Sequence, residues 1–282
     1  MRHPEHDTSA AVSADNFTAR RPVTAFLGKA WAIAEVELRK LRRDPTELAT
    51  RAIQPALWLL IFGEVMTRAR MIDTGNTPYL AFIVPGILAQ SVLFIAIFNG
   101  ISIIWERDLG IIHKFLASPT PRAALVVGKA LGGAVRALIQ AIVVLALAVL
   151  IGVHLDWSPF SLCASALLVL LGAMVFSAFS LSIACIVKTR ERFMGIGQVL
   201  TMPLFFASNA IYPTSLMPTW LRFIAHVNPL TYQVDGLRTL LLPGVSAAES
   251  ARIGLGTDFV VLAAALVVLV ALSARLYPHI VQ

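Results

Sequence analysis

Chemistry needs charged or nucleophilic side chains at useful spacing, and in this chain they gather at Trp105-Glu106-Arg107-Asp108, followed by His113, Lys114 and Arg122. Between them Ile111, Ile112, Phe115 and Leu116 form a helical apolar stripe, which stops at Ser118-Pro119. A charged helix with one apolar face on the water side either docks a protein partner or folds back on the bundle or the lipid. Catalysis is not supported. There is no His-Glu-x-x-His, no paired intramembrane carboxylate, and none of the six His lies deep in a span. Gly28-Lys29 and Gly128-Lys129 resemble the end of a phosphate-binding loop, but Ala follows each and the upstream Gly is missing. Arg136 is the one strongly basic residue inside an apolar segment, and it either snorkels to the inner interface or lines a cavity. Gln54, Gln90, Asn99, Gln140, Gln198 and Asn209 read as interhelical glue.

The elements that carry these residues are set by lipid. Of 282 residues 57% are hydrophobic and 14% charged, with mean hydropathy +0.77. A soluble domain has roughly 25% charged residues, so a cytosolic enzyme, a disulfide scaffold and a disordered chain are all excluded. The basic excess of 23 Lys and Arg over 16 Asp and Glu flanks the apolar segments and forms no separate basic patch, which argues against nucleic acid. Cys163 and Cys185 share one apolar segment and sit about 33 Å apart on a continuous helix, too far to bridge.

The fold class expected is an all-α polytopic membrane protein of six transmembrane helices. The spans are expected at about 46–66, 78–104, 121–153, 159–187, 193–211 and 258–276. Asp44-Pro45 starts the first, where Glu64 can pair with Arg68. Thr77 caps the second, and Ser158-Pro159 opens the fourth. Residues 1–23 read as a flexible cytoplasmic tail, 24–44 as an amphipathic interfacial helix, and 45–278 as the transmembrane domain. The helix of 24–44 sets Leu27, Trp31, Ala34, Leu38 and Leu41 on one face, with Arg39, Lys40, Arg42 and Arg43 off it. It lies on the headgroups or packs on a partner protein. Seventeen of the 23 cations fall on one side of the spans, so both termini are expected in the cytoplasm of an inner cell membrane. Between 211 and 244, prolines 213, 218, 229 and 243 break an apolar stretch into two short helices, one around Trp220 and one capped by Asn228-Pro229. These can dip into the outer leaflet as short re-entrant helices before the last span.

Residues 201–238 resemble the membrane signature of ABC-2 type permeases, the transmembrane subunits of ATP-binding-cassette exporters, in their daunorubicin-resistance and nodulation-export branch. The small and apolar run is Leu204, Ala207, Ser208, Ala210, Met217 and Pro218, then Pro229-Leu230-Thr231-Tyr232, closing on Arg238. Glu106-Arg107, Gly110, Leu116, Ser118-Pro119, Arg122 and Gly128-Lys129 resemble the element such permeases carry between their second and third spans. Asp108-Leu109 and His113 depart from it, standing where many relatives have Arg and Glu.

The resemblance implies that residues 106–117 form a coupling helix seated in a separate nucleotide-binding ATPase subunit. Glu106, Arg107, Gly110, Ile111, Phe115, Leu116, Ser118, Pro119 and Arg122 would serve that contact, with Trp31, Leu38, Arg42 and Arg43 of the interfacial helix beside them. It implies a second permease chain, identical or different, lipid around both, and no cofactor in this chain. ATP and Mg would be bound by the partner. Pro218, Trp220, Asn228, Pro229, Tyr232 and Arg238 are gate candidates at the extracellular exit. Phe94, Phe98, Asn99, Phe205, Phe206 and Asn209 are candidates to line the path of an amphipathic drug-like or lipid-like cargo. A polysaccharide or lipid-linked glycan is the alternative cargo. An intramembrane lipid-modifying enzyme and a secondary carrier are the competing classes, and both lack the titratable groups they need.

Overall fold

The computed structural model describes residues 45–70, 72–74, 77–110, 122–187, 189–242 and 254–277. The interfacial helix expected at 24–44 and the stripe of Ile111, Ile112, Phe115 and Leu116 with Ser118-Pro119 lie outside them. Among the described residues every regular element is helical. They are α1 (Pro45–Leu57), a π turn (Trp58–Gly63), α2 (Glu64–Ala69), α3 (Tyr79–Asn99), α4 (Ile101–Asp108), α5 (Arg122–Leu150), α6 (Pro159–Ile186), α7 (Arg190–Phe206), a 3-10 turn (Thr214–Leu216), α8 (Thr219–Val227), α9 (Pro229–Leu241) and α10 (Leu255–Leu276).

Among the described residues four helical runs are long and apolar enough to cross a membrane: Tyr79–Asp108, Leu125–Leu150, Pro159–Ile186 and Leu255–Leu276. The segment expected as first span is helical but interrupted by a π turn, and the fifth is one short helix. Pro55 removes one donor from the ladder, and three residues later the helix widens into the π turn. The expected pair is present there, with Arg68 Nε donating to Glu64 Oε1 at 2.9 Å. The fifth helix ends at Phe206 rather than 211, because its last carbonyls are claimed from elsewhere. Asn228 Nδ2 donates to Leu204 O at 2.7 Å and to Ala207 O at 3.1 Å, and Arg238 Nη2 to Asn209 O at 2.8 Å.

Helix starts follow the sequence closely. Ser158 accepts from Ser161 N with Pro159 in the first turn, and Asn228 accepts from Leu230 N with Pro229 behind it. The second span is a correction: Pro78, not Thr77, stands at its cap, since the Thr77 carbonyl is taken by Thr74 Oγ1.

Inside lipid no water competes for polar groups and apolar burial gains little, so packing and hydrogen bonds between helices hold the bundle. The α3 helix forms its centre and is buried almost continuously from Phe82 to Leu93, packed on α5, α6 and α9. Gly86 is what lets it in. A Cβ there would stand 2.3 Å from the Ala210 carbonyl oxygen. Between α3 and α4 the helix breaks at Gly100, whose N–H reaches the Ile97 carbonyl at 3.4 Å, and Ser180 Oγ donates to the same carbonyl. The α10 helix lies at the edge, fastened to α6 where Ser273 Oγ donates to Ala178 O at 2.8 Å and meets Ser182 Oγ at 2.7 Å.

Candidate functional site

At one end of the bundle, charged side chains tie four helices together. The Lys129 ammonium on α5 donates to both carboxylate oxygens of Glu106 on α4. Arg107 Nη1 donates to Val187 O, just past α6, at 3.3 Å. Asp108 accepts from Arg190 of α7, from Nη2 at 2.7 Å and from Nε at 3.1 Å, and the same guanidinium lies 3.5 Å over the Trp105 ring. Gly110 closes α4 at φ 68°, a left-handed cap in which its N–H reaches Arg107 O at 2.9 Å. Of the residues expected to meet an ATPase, the structure thus brings Glu106, Arg107 and Gly110 to one end. Ile111, Phe115, Leu116, Ser118 and Pro119 lie outside the described residues, and Arg122 is placed only as the first residue of α5.

Further along α3 and α5 a cavity of about 330 Å³ is walled by Phe94, Ile95, Phe98, Asn99 and Arg136. Phe94 and Phe98, one helical turn apart, stack with centroids 6.2 Å apart and planes 18° off parallel. The Asn99 amide is buried and donates to Lys129 O at 3.1 Å. Arg136 is among the walls of this cavity. Three path candidates meet here, and three do not. Phe205 is fully buried edge-on against Trp58 at 5.5 Å, Asn209 is buried beside Arg238, and Phe206 faces a second cavity.

That second cavity, about 760 Å³, lies between α7 and α8 and is lined by Phe206, Tyr212, Trp220, Phe223, Ile224 and Val227 among others. The gate candidates surround it or brace it. Pro218 caps α8, and Trp220 stands exposed on its apolar face. Tyr232 Oη donates to His226 O at 2.6 Å, locking α9 to α8. Arg238 is fully buried, its guanidinium 3.8 Å over the Phe82 ring. Deeper along α9, Gln233 packs on Gly172, midway along α6.

Sequence reasoning missed two features. The Asp108–Arg190 latch joins residues 82 apart, and no local spacing signals it. The second is a pair of buried carboxylates on α9 and α10. Asp235 and Asp258 are both buried, and Asp258 Oδ2 lies 3.3 Å from where a Cβ on Gly236 would be. Folding α9 against α10 brings them together. Among the described residues no group of three or more His, Cys, Asp or Glu could hold a metal.

Comparison with known proteins bears on this geometry. Residues 29–242 match the family model described as ABC-2 type transporter. The ycf38 protein of Cyanophora paradoxa, which carries a transport-permease name, is 31% identical over 71% of this chain and 70% of its own length. The inner membrane transport permease YadH of Escherichia coli K12 is 28% identical over 68% and 73%. The daunorubicin resistance ABC transporter permease protein DrrB1 of Streptomyces coeruleorubidus is 24% identical over 70% and 69%.

Proposed function

This chain belongs to the ABC-2 type transporter family, and from that premise we propose that it forms the translocation path of an ATP-driven exporter for an amphipathic, drug-like or lipid-like molecule. It is a transport permease subunit of an ABC transporter, with several membrane-crossing helices, and the family implies an ATPase partner. The observation that carries the finer reading is the charged end. There Glu106 is held by Lys129, Arg107 by the Val187 carbonyl and Asp108 by Arg190. A push delivered through the segment after Gly110 therefore reaches α4, α5, α6 and α7 as one body. This is what a coupling helix over 106–117 requires to turn closure of an ATPase dimer into rotation of the bundle. In this reading Glu106 and Arg107 are positioning residues that transmit force, and Ile111, Phe115, Leu116, Ser118 and Pro119 make the contact itself.

Six crossings fit this role, with α1 through α2 as the first, about 37 Å long at 1.5 Å per residue, and α7 as the fifth. The α8–α9 pair is read as a re-entrant hairpin from the outer leaflet. The depth of Gln233 beside the midpoint of α6, and the Asn228 cap on the end of α7, support it. Two permease chains would enclose the path, with both termini and the charged end in the cytoplasm of an inner membrane. One relative is named for daunorubicin resistance, and an aromatic cargo body would suit a cavity walled by Phe94 and Phe98.

The test is co-reconstitution with the cognate ATPase in liposomes. Replacing Glu106 and Arg107 by Gln should lower cargo-stimulated ATP turnover while insertion and ATPase binding persist. Unchanged coupling, or transport by the permease chain alone, overturns the reading.

A further inference from the structure

We propose that Asp258, in the first turns of α10, is a proton-binding site: its carboxyl is held as the neutral acid against α9, and giving that proton to water lets this end of α10 part from α9. The site goes beyond the transport reading and rests on it only for the side of the membrane to which the proton goes. Asp258 is wholly inaccessible, and neither of its carboxylate oxygens has a hydrogen-bond partner. It is the one acidic side chain among the described residues in that condition. Its Oδ2 lies 3.3 Å from where a Cβ on Gly236 would be, and the Leu168 methyls reach the same point at 2.9 and 3.1 Å. The carboxyl is thus packed where α9, α6 and α10 meet, in apolar company. A carboxylate without donors or a counter-ion is among the costliest groups to bury, and a bound proton removes its charge.

The groups on the helices packed against α10 leave that task to a proton. On α9 the charge that acts on Asp258 is Asp235, of like sign, and Asp235 has Arg238 three residues on as its own opposite charge. Tyr232, also on α9, gives its hydroxyl proton to the His226 carbonyl. The α6 helix has no Asp, Glu, Lys, Arg, His or Tyr, and its thiols are Cys163, which is exposed, and Cys185 at the far end. On α5 the charges are Arg122, Lys129 and Arg136, the last about 21 Å short of the end that leads to α6. In that connection His154 is exposed, and Asp156 is engaged by Ser158 and Ser161. On α10 itself Arg275 stands about 25 Å away. The helix start favours an anion, but with only a fraction of a unit charge. A metal ion is poorly served, since among the described residues no three His, Cys, Asp or Glu gather to hold one.

Position gives the proton a consequence. Tyr277, at the other end of α10, lies by Glu106 of the charged end. Asp258 is about 28 Å away along the helix, at the opposite end of the bundle. Ser273 fastens α10 to α6 near the charged end, so the Asp258 end is the one free to swing. Once ionised, Asp258 is repelled by Asp235 and drawn to water, and both effects move α10 off α9. Opening of this end and release of the proton are therefore linked, each favouring the other.

The experiment uses the full chain bound to its ATPase, in nanodiscs of phosphatidylcholine. Infrared spectra should show the carbonyl stretch of a protonated carboxyl, and Asp258→Asn should remove it. Dicyclohexylcarbodiimide, an apolar reagent, should label Asp258. The acid proton moves to a carbodiimide nitrogen, the carboxylate oxygen adds to the central carbon, and acyl migration to nitrogen leaves an adduct carrying the whole reagent mass. Spin labels at Thr239→Cys and Thr257→Cys, both exposed positions, with Cys163 and Cys185 replaced by Ser, read the separation of α9 and α10. Raising the pH should enlarge the separated population, and Asp258→Asn should stay closed throughout. An unlabelled Asp258 with no acid band overturns the proposal, as does a pH-driven separation that persists in Asp258→Asn. Arg252→Gln removes the one cation of the 243–253 segment and should leave the band unchanged; a band that emerges only with that substitution assigns Asp258 to an ion pair and overturns the proton site. If Asp258→Asn fails to insert, the adduct on wild-type Asp258 and its loss at alkaline pH decide the matter. A complex that transports on ATP without the acid band defeats this inference alone. A chain that shows the band but never couples to an ATPase defeats the transport reading and leaves the proton site standing.

Discussion

The Asn228 side chain joins two helices that the chain places far apart: its Oδ1 accepts from Leu230 N at 3.0 Å to start α9, while its Nδ2 donates to Leu204 O at 2.7 Å to finish α7. One amide thus satisfies a helix N-terminus and a helix C-terminus together, at a buried junction where their free backbone groups would otherwise lack partners.

Asn228→Ala should therefore be among the more destabilising single changes at this end. Loss of the cap and exposure of two carbonyls without donors should cost about 2–4 kcal/mol. Asn228→Ser restores the cap alone and should recover about 1 kcal/mol of that. Thermal unfolding in mild detergent ranks the three proteins, and equal midpoints for Asn228→Ala and wild type would refute the double role.

The Glu106–Lys129 pair is partly buried, with side chains 25% and 18% exposed. Either charge left alone should cost about 1–3 kcal/mol. Glu106→Lys and Lys129→Glu should each uncouple ATP turnover from cargo. The exchanged double variant should regain much of the coupling, because the pair rather than either residue braces α4 against α5. A double variant no better than the singles argues that one residue acts by itself.

Two glycines separate close packing from helix propensity. Gly86→Ala drives a Cβ into the Ala210 backbone and should cost about 3 kcal/mol, seen as a large fall in melting temperature and in yield of inserted protein. At Gly132 nothing lies within 4 Å of the added atom. Gly132→Ala should be neutral or stabilise by up to about 1 kcal/mol. Similar melting of the two variants would contradict the close approach of α3 to the 207–211 turn.

Asp156 lies in the connection between α5 and α6. The Ser161 hydroxyl, at 2.7 Å, and the Ser158 N–H, at 2.9 Å, hold its carboxyl below the ordinary carboxylate range. A depressed folded value means that the ionised form favours the fold. Its contribution is complete above the unfolded carboxylate value, near about 4, and is lost as pH falls through the lower folded value. Wild type and Asp156→Asn should thus differ in melting temperature by a constant amount from neutrality down to about pH 4, and converge below it. A difference that grows on acidification would contradict the assigned hydrogen bonds.

How much was legible in advance follows from the range of each signal. Helix starts at Ser158-Pro159 and Asn228-Pro229, the short helix at Trp220 and the Glu64–Arg68 pair depend on neighbours within a turn or two, and all are found where the pattern puts them. The fifth helix was expected to run to 211 because apolar character continues that far. Its real end is set by Asn228 and Arg238, donors more than 20 residues downstream. The residues of the 111–121 stretch, central to the coupling proposal, were read from periodicity and resemblance alone.

By itself the sequence determined a lipid-embedded helical chain, the family it belongs to and a charged segment at the end of α4, because hydropathy, caps and motif spacing are local and lipid permits few alternatives. The tertiary structure alone decided that Arg136 walls a cavity with Phe94 and Phe98, that Arg190 holds Asp108, and that Asp235 and Asp258 are buried together. Those meetings depend on how helices rotate and cross, which is set by small-residue contacts such as Gly86 on Ala210 and Gly172 under Gln233. No periodicity along one strand of sequence records the rotation of its neighbour.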